Sequence, residues 1–331
     1  MAGTKNTDIN TVLFPVEKRL LYFCDASKNL FGEEDSDPTY HQVPRFEAVV
    51  DVERGHTFAV VSENYRLVMN KEALKLGEQC FLQVFSTTTV HGMELFNIIL
   101  PQTRSFCHVD FIHKGHAVTP FDKDNWWPFL RVTNSYNKTK PLRFDLGFCR
   151  AICTNGVIFG REHIVFKYYH TNEQFDAKAT FKVDTSRLKA LETTFIEQMH
   201  NLKRFYVSPE HMLALACKAF GIEITDETMQ KPKRRENLLK FGEEIQRLTA
   251  VYFKHLEPNG YAALNVLSDF AARPHGYISQ EAMIDPLQKR CGVWTVDFLE
   301  TIKDDKFDYE KYLGRFAECA RILARSVPEA E

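Results

Sequence analysis

A chain of 331 residues with 44% hydrophobic and 26% charged side chains is long enough to bury a full core and too apolar for a disordered segment. Its formal net charge of -2 excludes a protein that is basic all over, so a polyanionic partner has to be met by a local patch. No run has the apolar length of a bilayer span, the opening MAGTKNTDIN lacks the basic-then-apolar pattern of a secretion signal, and eight cysteines without paired spacing read as reduced thiols of a cytoplasmic protein.

In chain order, Leu20 to Cys24 is a short apolar run, and Gly32 to Pro38 is an acidic, turn-rich loop. Phe46, Ala48, Val50 and Val52 then alternate with Glu47 and Asp51, and the turn ERGH leads into Thr57–Val61. This is a hairpin signal, and the second strand, apolar on both faces, is expected to be central. Lys71 to Phe85 reads as a helix with Asn70 as N-cap and Leu74, Gly77 and Phe81 on the inner stripe. A strand is expected from Met93 to Leu100. In the next, Ser105 to Ile112, the residues Cys107, Val109 and Phe111 face one way, with His108 and Asp110 the other.

The stretch from Pro128 to Thr171 combines strand alternation with basic and polar side chains. Phe129–Thr133, Leu142–Phe148 and His163–His170 read as three antiparallel strands joined by the polar connections SYNKTKP and CTNGVIFGRE. Leu142, Phe144, Leu146 and Phe148 form an inward row, and Arg143, Asp145 and Gly147 the outward one. From Arg131 to His170 there are seven cations, Arg131, Lys138, Lys140, Arg143, Arg150, Arg161 and Lys167, against only Asp145 and Glu162. Such a face, with Tyr136, Tyr168 and Tyr169 nearby, suits a phosphate backbone and stacked bases. The same pattern also describes an ordinary solvated sheet face.

Near Thr185 the apolar period changes from two to about 3.6. Leu188, Leu191, Phe195, Met199 and Leu202 mark a helix over 185–205; Ser208-Pro209 opens another, and Gly221 closes it. Leu238–Leu256, Tyr261–Ala272, Trp294–Ile302 and Asp308–Ala324 complete the helical half. The expected fold is α+β, with a strand-rich antiparallel lobe over residues 1–184 and a helical lobe over 185–331 packed against it.

The blocks VVDVERGHTFAVVSENYRLVMNKEA, FLRVTNSYNKTKPLRF and FCRAICTNGVIFG with YYHT after it, then GYAALNVLSDFA with Trp294 beyond, occur in that order. Together they resemble the phage/plasmid-like family catalogued as domain of unknown function 932, from about Phe46 to about Leu299. The resemblance implies a protein of phages, plasmids and their hosts, and assigns no chemistry. The family-like positions here are Ser62, Tyr65, Asn70, Asn134, Ser135, Arg150, Cys153, Asn155, Gly156, His170, Asn265 and Asp269. Their amide, hydroxyl and guanidinium groups hold turns, cap helices and bind phosphates or bases. For Asn70 a simple cap and for Asn155-Gly156 a simple turn is the plainer reading.

Catalytic patterns are sparse. Cys149, Cys153, His163 and His170 are a poor zinc set, since histidines seven apart point to opposite faces of a strand. His108, Asp110 and His116, with His113, form a denser group that a turn at Lys114-Gly115 could bring together for a metal or for acid/base work, though a solvated strand edge with several histidines is the plainer reading. Cys153 beside His170 is the one nucleophile–base pairing that the resemblance favours. There is no P-loop, dinucleotide glycine pattern or nucleophile elbow, no cofactor is called for, and KPKRR at 231–235 reads as a solvated loop. The function expected is therefore binding of DNA or RNA through Arg131, Asn134, Ser135, Lys138, Lys140, Arg143, Arg150, Asn155, Arg161 and Lys167. The alternative is a metal-dependent or Cys/His hydrolytic enzyme built on the same polar residues.

Overall fold

A computed structural model describes residues 8–25, 39–87, 92–151, 156–158, 164–170, 186–277, 280–303 and 306–326. Antiparallel sheets fill the N-terminal half and helices the C-terminal half, so the fold is α+β.

The first sheet holds β1 (Val16–Asp25), β2 (Thr39–Asp51) and β3 (His56–Ser62), in that order. Its hairpin lies where ERGH places it: Gly55 adopts φ 63°, and the Asp51 carboxylate accepts the N–H groups of Glu53 and Arg54. The expectation of a central β3 is corrected. The middle strand is β2, because the run around Leu20 pairs along its other edge, and β3 is left at the margin with Val60 46% exposed.

Helix α1 (Asn70–Val84) follows. It lies on the second sheet, which contains β4 (Met93–Ile99), β5 (Phe106–His113), β6 (Val118–Phe121), β7 (Asp124–Ser135), β8 (Leu142–Arg150), β9 (Gly156–Val157) and β10 (Ile164–Tyr168). The main path runs β10-β8-β7-β5-β4, with β6 added to β7 and β9 to β8. All pairings are antiparallel, and the three strands expected around β8 are adjacent as read. Pro128 in β7 falls between the end of the β5 pairing at Phe129 and the start of the β6 pairing at Trp126, where a missing donor costs least.

The even-numbered residues of β7 and β8 make an apolar face. Leu130, Val132, Leu142, Phe144 and Leu146 pack with Ala73, Leu76 and Phe81 of α1. The helical half comprises α2 (Ser186–Arg204), α3 (Met212–Phe220), α4 (Asp226–Gln230), α5 (Pro232–Leu256), α6 (Gly260–Ala272), α7 (Gln280–Thr301), α8 (Tyr309–Leu313) and α9 (Arg315–Ala324). Phe195 of α2 continues the same face, stacked on Phe148 at 4.2 Å and edge-on to Trp126 at 5.1 Å.

Three helix boundaries depart from the sequence reading. KPKRR is the entry and first turn of α5, with Pro232 at its start, where proline's fixed φ is compatible with a helix. The helix read over Asp308–Ala324 breaks at Gly314, whose φ of 52° no helix interior accepts. Most consequentially, α7 begins at Gln280, well before Trp294, and carries Pro286 within it. A proline among polar residues hides those first turns from any apolar periodicity.

Gly77 of α1 lies so close to Val132 that a Cβ would overlap its Cγ2 methyl. Gly77→Val should therefore lower stability by about 1–3 kcal/mol, the usual cost of overpacking a tight helix–sheet contact, read from urea unfolding midpoints at an unchanged slope.

Candidate functional site

The odd-numbered face of the second sheet is the one the alternation sends outward, and it is buried. The reason is α7, whose early turns carry Asp285, Gln288 and Lys289 across it. Along this face the strand register lays out two rows. Asp110, Arg131 and Asp145 sit side by side on β5, β7 and β8; in the next row come His108, Thr133, Arg143 and Lys167.

The first row is an ion-pair cluster. Arg131, 0% exposed, donates from Nε and Nη2 to both oxygens of Asp110 at 2.7 and 2.8 Å, and from Nη1 to Asp285 at 3.1 Å. Arg143 bonds Asp145 at 2.8 Å and reaches Asp285 at 3.4 Å, and Lys289 contacts Asp285 at 2.8 Å and Asp145 at 3.4 Å. Burial works against the charge on Arg131, but the two carboxylates outweigh it and raise its pKa. Burial likewise would raise Asp285, yet Arg131, Arg143 and Lys140 around it hold its carboxyl below the usual range. Asp145 is the exception, because burial outweighs Arg143 and pushes it up to about 7.

In the second row His108 is 0% exposed, bonds Thr133 Oγ1 through Nδ1 at 2.8 Å, and has no partner at Nε2 among the described residues. Desolvation pushes its pKa down to about 3, so the ring is neutral. The row ends in cations without carboxylates. Among the described residues, Lys138, Lys140 and Lys167 make no ion pair. Lys167 is exposed and lies 4.4 Å from the ring of the exposed Tyr169; the half-buried Lys140 lies 4.8 Å from Phe106. Burial, then Arg143 and Arg131 nearby, lower the pKa of Lys140 against the pull of Asp285 and Asp145. Lys138 sits exposed in the β7–β8 turn at φ 63°.

Arg150 belongs elsewhere. It lies on the even face, bonds both oxygens of Asp124 at 2.7 and 3.0 Å, and reaches Asn265 of α6 at 3.2 Å. Tyr261 donates to the same Asp124 at 2.5 Å and accepts from Trp126 at 3.0 Å. A third network joins Asn134 to Asn70 at 2.8 Å and to the Val68 carbonyl at 2.9 Å, while Asn70 donates to Val12 at 2.9 Å. Asn70 is thus no cap: the N-cap position is Met69, without a side-chain bond, and the Asn70 amide is spent on tertiary contacts. Ser135 closes the β7–β8 turn by donating to the Lys140 carbonyl at 2.6 Å. Neither Asn134 nor Ser135 is open to a ligand, at 0% and 1% exposed.

The histidine group at β5 divides across the sheet. His108 and Asp110 occupy the odd face, whereas His116 bonds Glu192 of α2 at 2.5 Å and lies by Phe85 and His113 on the α1 side. Among the described residues no three His, Cys, Asp or Glu side chains group as metal ligands, and the candidates His108, Asp110 and His116 are not brought together. His170 stacks on Tyr65 at 5.4 Å, and its Nδ1 bonds the Arg66 carbonyl at 3.2 Å. Cys153, Asn155, Arg161 and His163 lie outside the described residues. Cys24, Cys80, Cys107, Cys217, Cys291 and Cys319 are free thiols, and burial pushes Cys80 and Cys107 up to about 12, which makes them poor nucleophiles. No described helix is long and apolar enough to cross a membrane.

Asp110, Arg131 and Arg150 were open to sequence reading as charged residues on strands. Asp124, Asp285 and Lys289, which neutralise or complete them, carried no signal beyond their charge. These features define an α+β protein whose sheet and helical half share buried charge networks. The chain belongs to the family described as domain of unknown function (DUF932), which is matched over residues 57–281. No curated protein and no solved structure matches it.

Two outcomes follow from the cluster. Arg131→Met, which leaves Asp110 buried without its cation and takes one of three from Asp285, should cost about 3–5 kcal/mol in urea unfolding, against less than roughly 0.5 kcal/mol for Lys167→Ala. Asp145 titrates at about 7 when folded, above its unfolded range, so its protonated form stabilises the fold at low pH and that contribution fades as pH rises through 7. The melting temperature of Asp145→Asn relative to wild type should accordingly climb from about pH 4 to 7. A flat difference would mean that the carboxyl titrates normally.

Proposed function

We propose that the protein binds DNA or RNA through backbone phosphates laid across the β7–β8 turn end of the second sheet. One observation carries this reading: Lys138, Lys140 and Lys167 gather at that end without carboxylate partners, whereas Arg131, Arg143 and Arg150 are taken up in ion pairs. Unneutralised lysines beside an exposed tyrosine suit a phosphate chain with a base stacked on Tyr169. The phage- and plasmid-like character implied by the sequence blocks is in keeping with such a partner. Arg131 and Arg150 then act through the fold, and Arg143 positions the row while keeping one side open, its side chain 19% exposed.

Binding to single-stranded DNA and RNA oligonucleotides should weaken steeply with salt. Replacing Lys138, Lys140 and Lys167 together by Ala should reduce the slope of log affinity against log salt by roughly two to three. Absence of binding to either nucleic acid at low salt, or a slope unchanged by the triple substitution, defeats the proposal.

A hydrolytic reading keeps one observation in its favour. Because the Arg66 carbonyl can only accept, His170 Nδ1 is the protonated nitrogen, and its buried Nε2 has no partner among the described residues. Burial lowers the pKa of this ring, so it stays neutral, as a general base requires.

A further inference from the structure

A cavity of about 500 Å³ opens between the end of α3, the start of α5, the segment after α6 and the start of α7. Its lining is largely apolar: Phe220, Leu238 and Phe241 are buried, and Ile222 and Met283 are half-buried. The described charged residues around it are Arg234, Arg290, His275 and Glu223. Glu223 is already matched by Arg315 at 2.6 Å, and His275 lies 3.9 Å from Glu244, so the surplus is two guanidinium groups. Gly276, at φ 86°, lets the chain after α6 run directly against α5, where a Cβ would collide with the Asn237 carbonyl.

Several polar groups of this lining are unspent. Arg234, in the first turn of α5, makes no ion pair among the described residues. Arg290 gives Nη1 to the Phe220 carbonyl and keeps the other donors of its fork. The Asn237 amide and the Tyr277 hydroxyl have no hydrogen-bond partner among the described residues. Burial raises the pKa of that hydroxyl against the pull of Arg290, so Tyr277 stays a neutral donor within electrostatic reach of the guanidinium. A concave apolar surface with a few polar groups turned into it is the common form of a small-molecule site. Two guanidinium groups suit a doubly charged phosphate, met by bidentate bonds, better than a singly charged carboxylate. An amide and a hydroxyl beside an apolar floor suit a ring with polar edges better than an alkyl chain.

We propose that this cavity binds a nucleoside monophosphate, its phosphate held by Arg234 and Arg290 and its base laid on Ile222, Leu238 and Met283 with the polar edge toward Asn237 and Tyr277. The run KPKRR, which supplies Arg234, is then part of a ligand site as well as the entry to a helix. The N-terminus of α5 adds to the same positive field, since its first turn carries no acid and its N-cap makes no side-chain bond. The cavity shares no residue with the lysine end of the second sheet, so this site does not rest on the nucleic-acid reading.

Calorimetric titration of the full chain with AMP, GMP, CMP and UMP tests this. At least one of them should bind at a single site, and the matching nucleoside, which lacks the phosphate, should bind at least about tenfold more weakly. Arg234→Gln should weaken the nucleotide by a similar factor, and because Arg234 is exposed the variant should melt with wild type. Arg290→Gln should act in the same direction. Replacing Lys138, Lys140 and Lys167 together by Ala should leave nucleotide binding unchanged, which separates this site from the one on the second sheet. No binding of any of the four, binding indifferent to Arg234→Gln, a nucleoside as tight as its phosphate, or loss of binding in the triple lysine variant would each overturn the proposal.

Discussion

Arg131 is the constraint around which the rest of the protein is arranged. A guanidinium with no exposure to water is tolerable only when its donors are met and its charge is balanced. Asp110 from the neighbouring strand does part of this, and Asp285, 154 residues further along the chain, completes it. The early turns of α7 are thereby drawn onto the sheet, and with them Lys289, which balances Asp145. Secondary structure alone would leave that face open; the buried charge gives it a lid. Buried ion pairs add little net stability over an apolar core, so their effect here is better described as fixing which helix covers which strands.

The same logic recurs on the opposite face. Arg150, Asp124, Tyr261 and Asn265 join β7 and β8 to α6, and the pair Asn70 and Asn134 joins the start of α1 to β7. Many of the polar positions that carry the family resemblance thus meet one another in pairs: Tyr65 with His170, Asn70 with Asn134, Arg150 with Asn265. Each pair spans a long separation in sequence; Asn70 with Asn134 and Arg150 with Asn265 satisfy buried polar groups, while Tyr65 and His170 stack ring on ring. Their chemistry is that of registration between elements.

Charge that is not used in registration collects at the periphery. Once Asp110, Asp145 and Asp285 have matched Arg131, Arg143 and Lys289, the lysines at the β7–β8 turn and on β10 are left without an ion pair among the described residues, in a chain whose net charge is slightly negative. The β1–β2 ribbon differs in kind, since it exposes Leu20, Tyr22 and Phe23 where the turn end exposes lysines, and the two surfaces lie on different sheets.

By itself the sequence determined the alternation of β5, β7 and β8, the helix of α1, the periodic helices α2, α5 and α6, the α+β division near Thr185, and the family. These follow from local periodicity and short turns, which depend only on neighbours in the chain. It could not decide which basic residues are free. Arg131, Arg143 and Lys167 look alike on alternating strands, and their fates diverge only because a helix that starts unseen ahead of Pro286 delivers Asp285 to the first two and stops short of the third. In the same way, local pattern made β3 central and Asn70 a cap, whereas pairing with β1 makes β2 the middle strand and the Asn70 side chain is spent on Val12 and Asn134. Whether a charge is balanced, a strand edge is covered or an amide is spent depends on residues far away in the chain, and only the tertiary structure brings those within hydrogen-bonding reach.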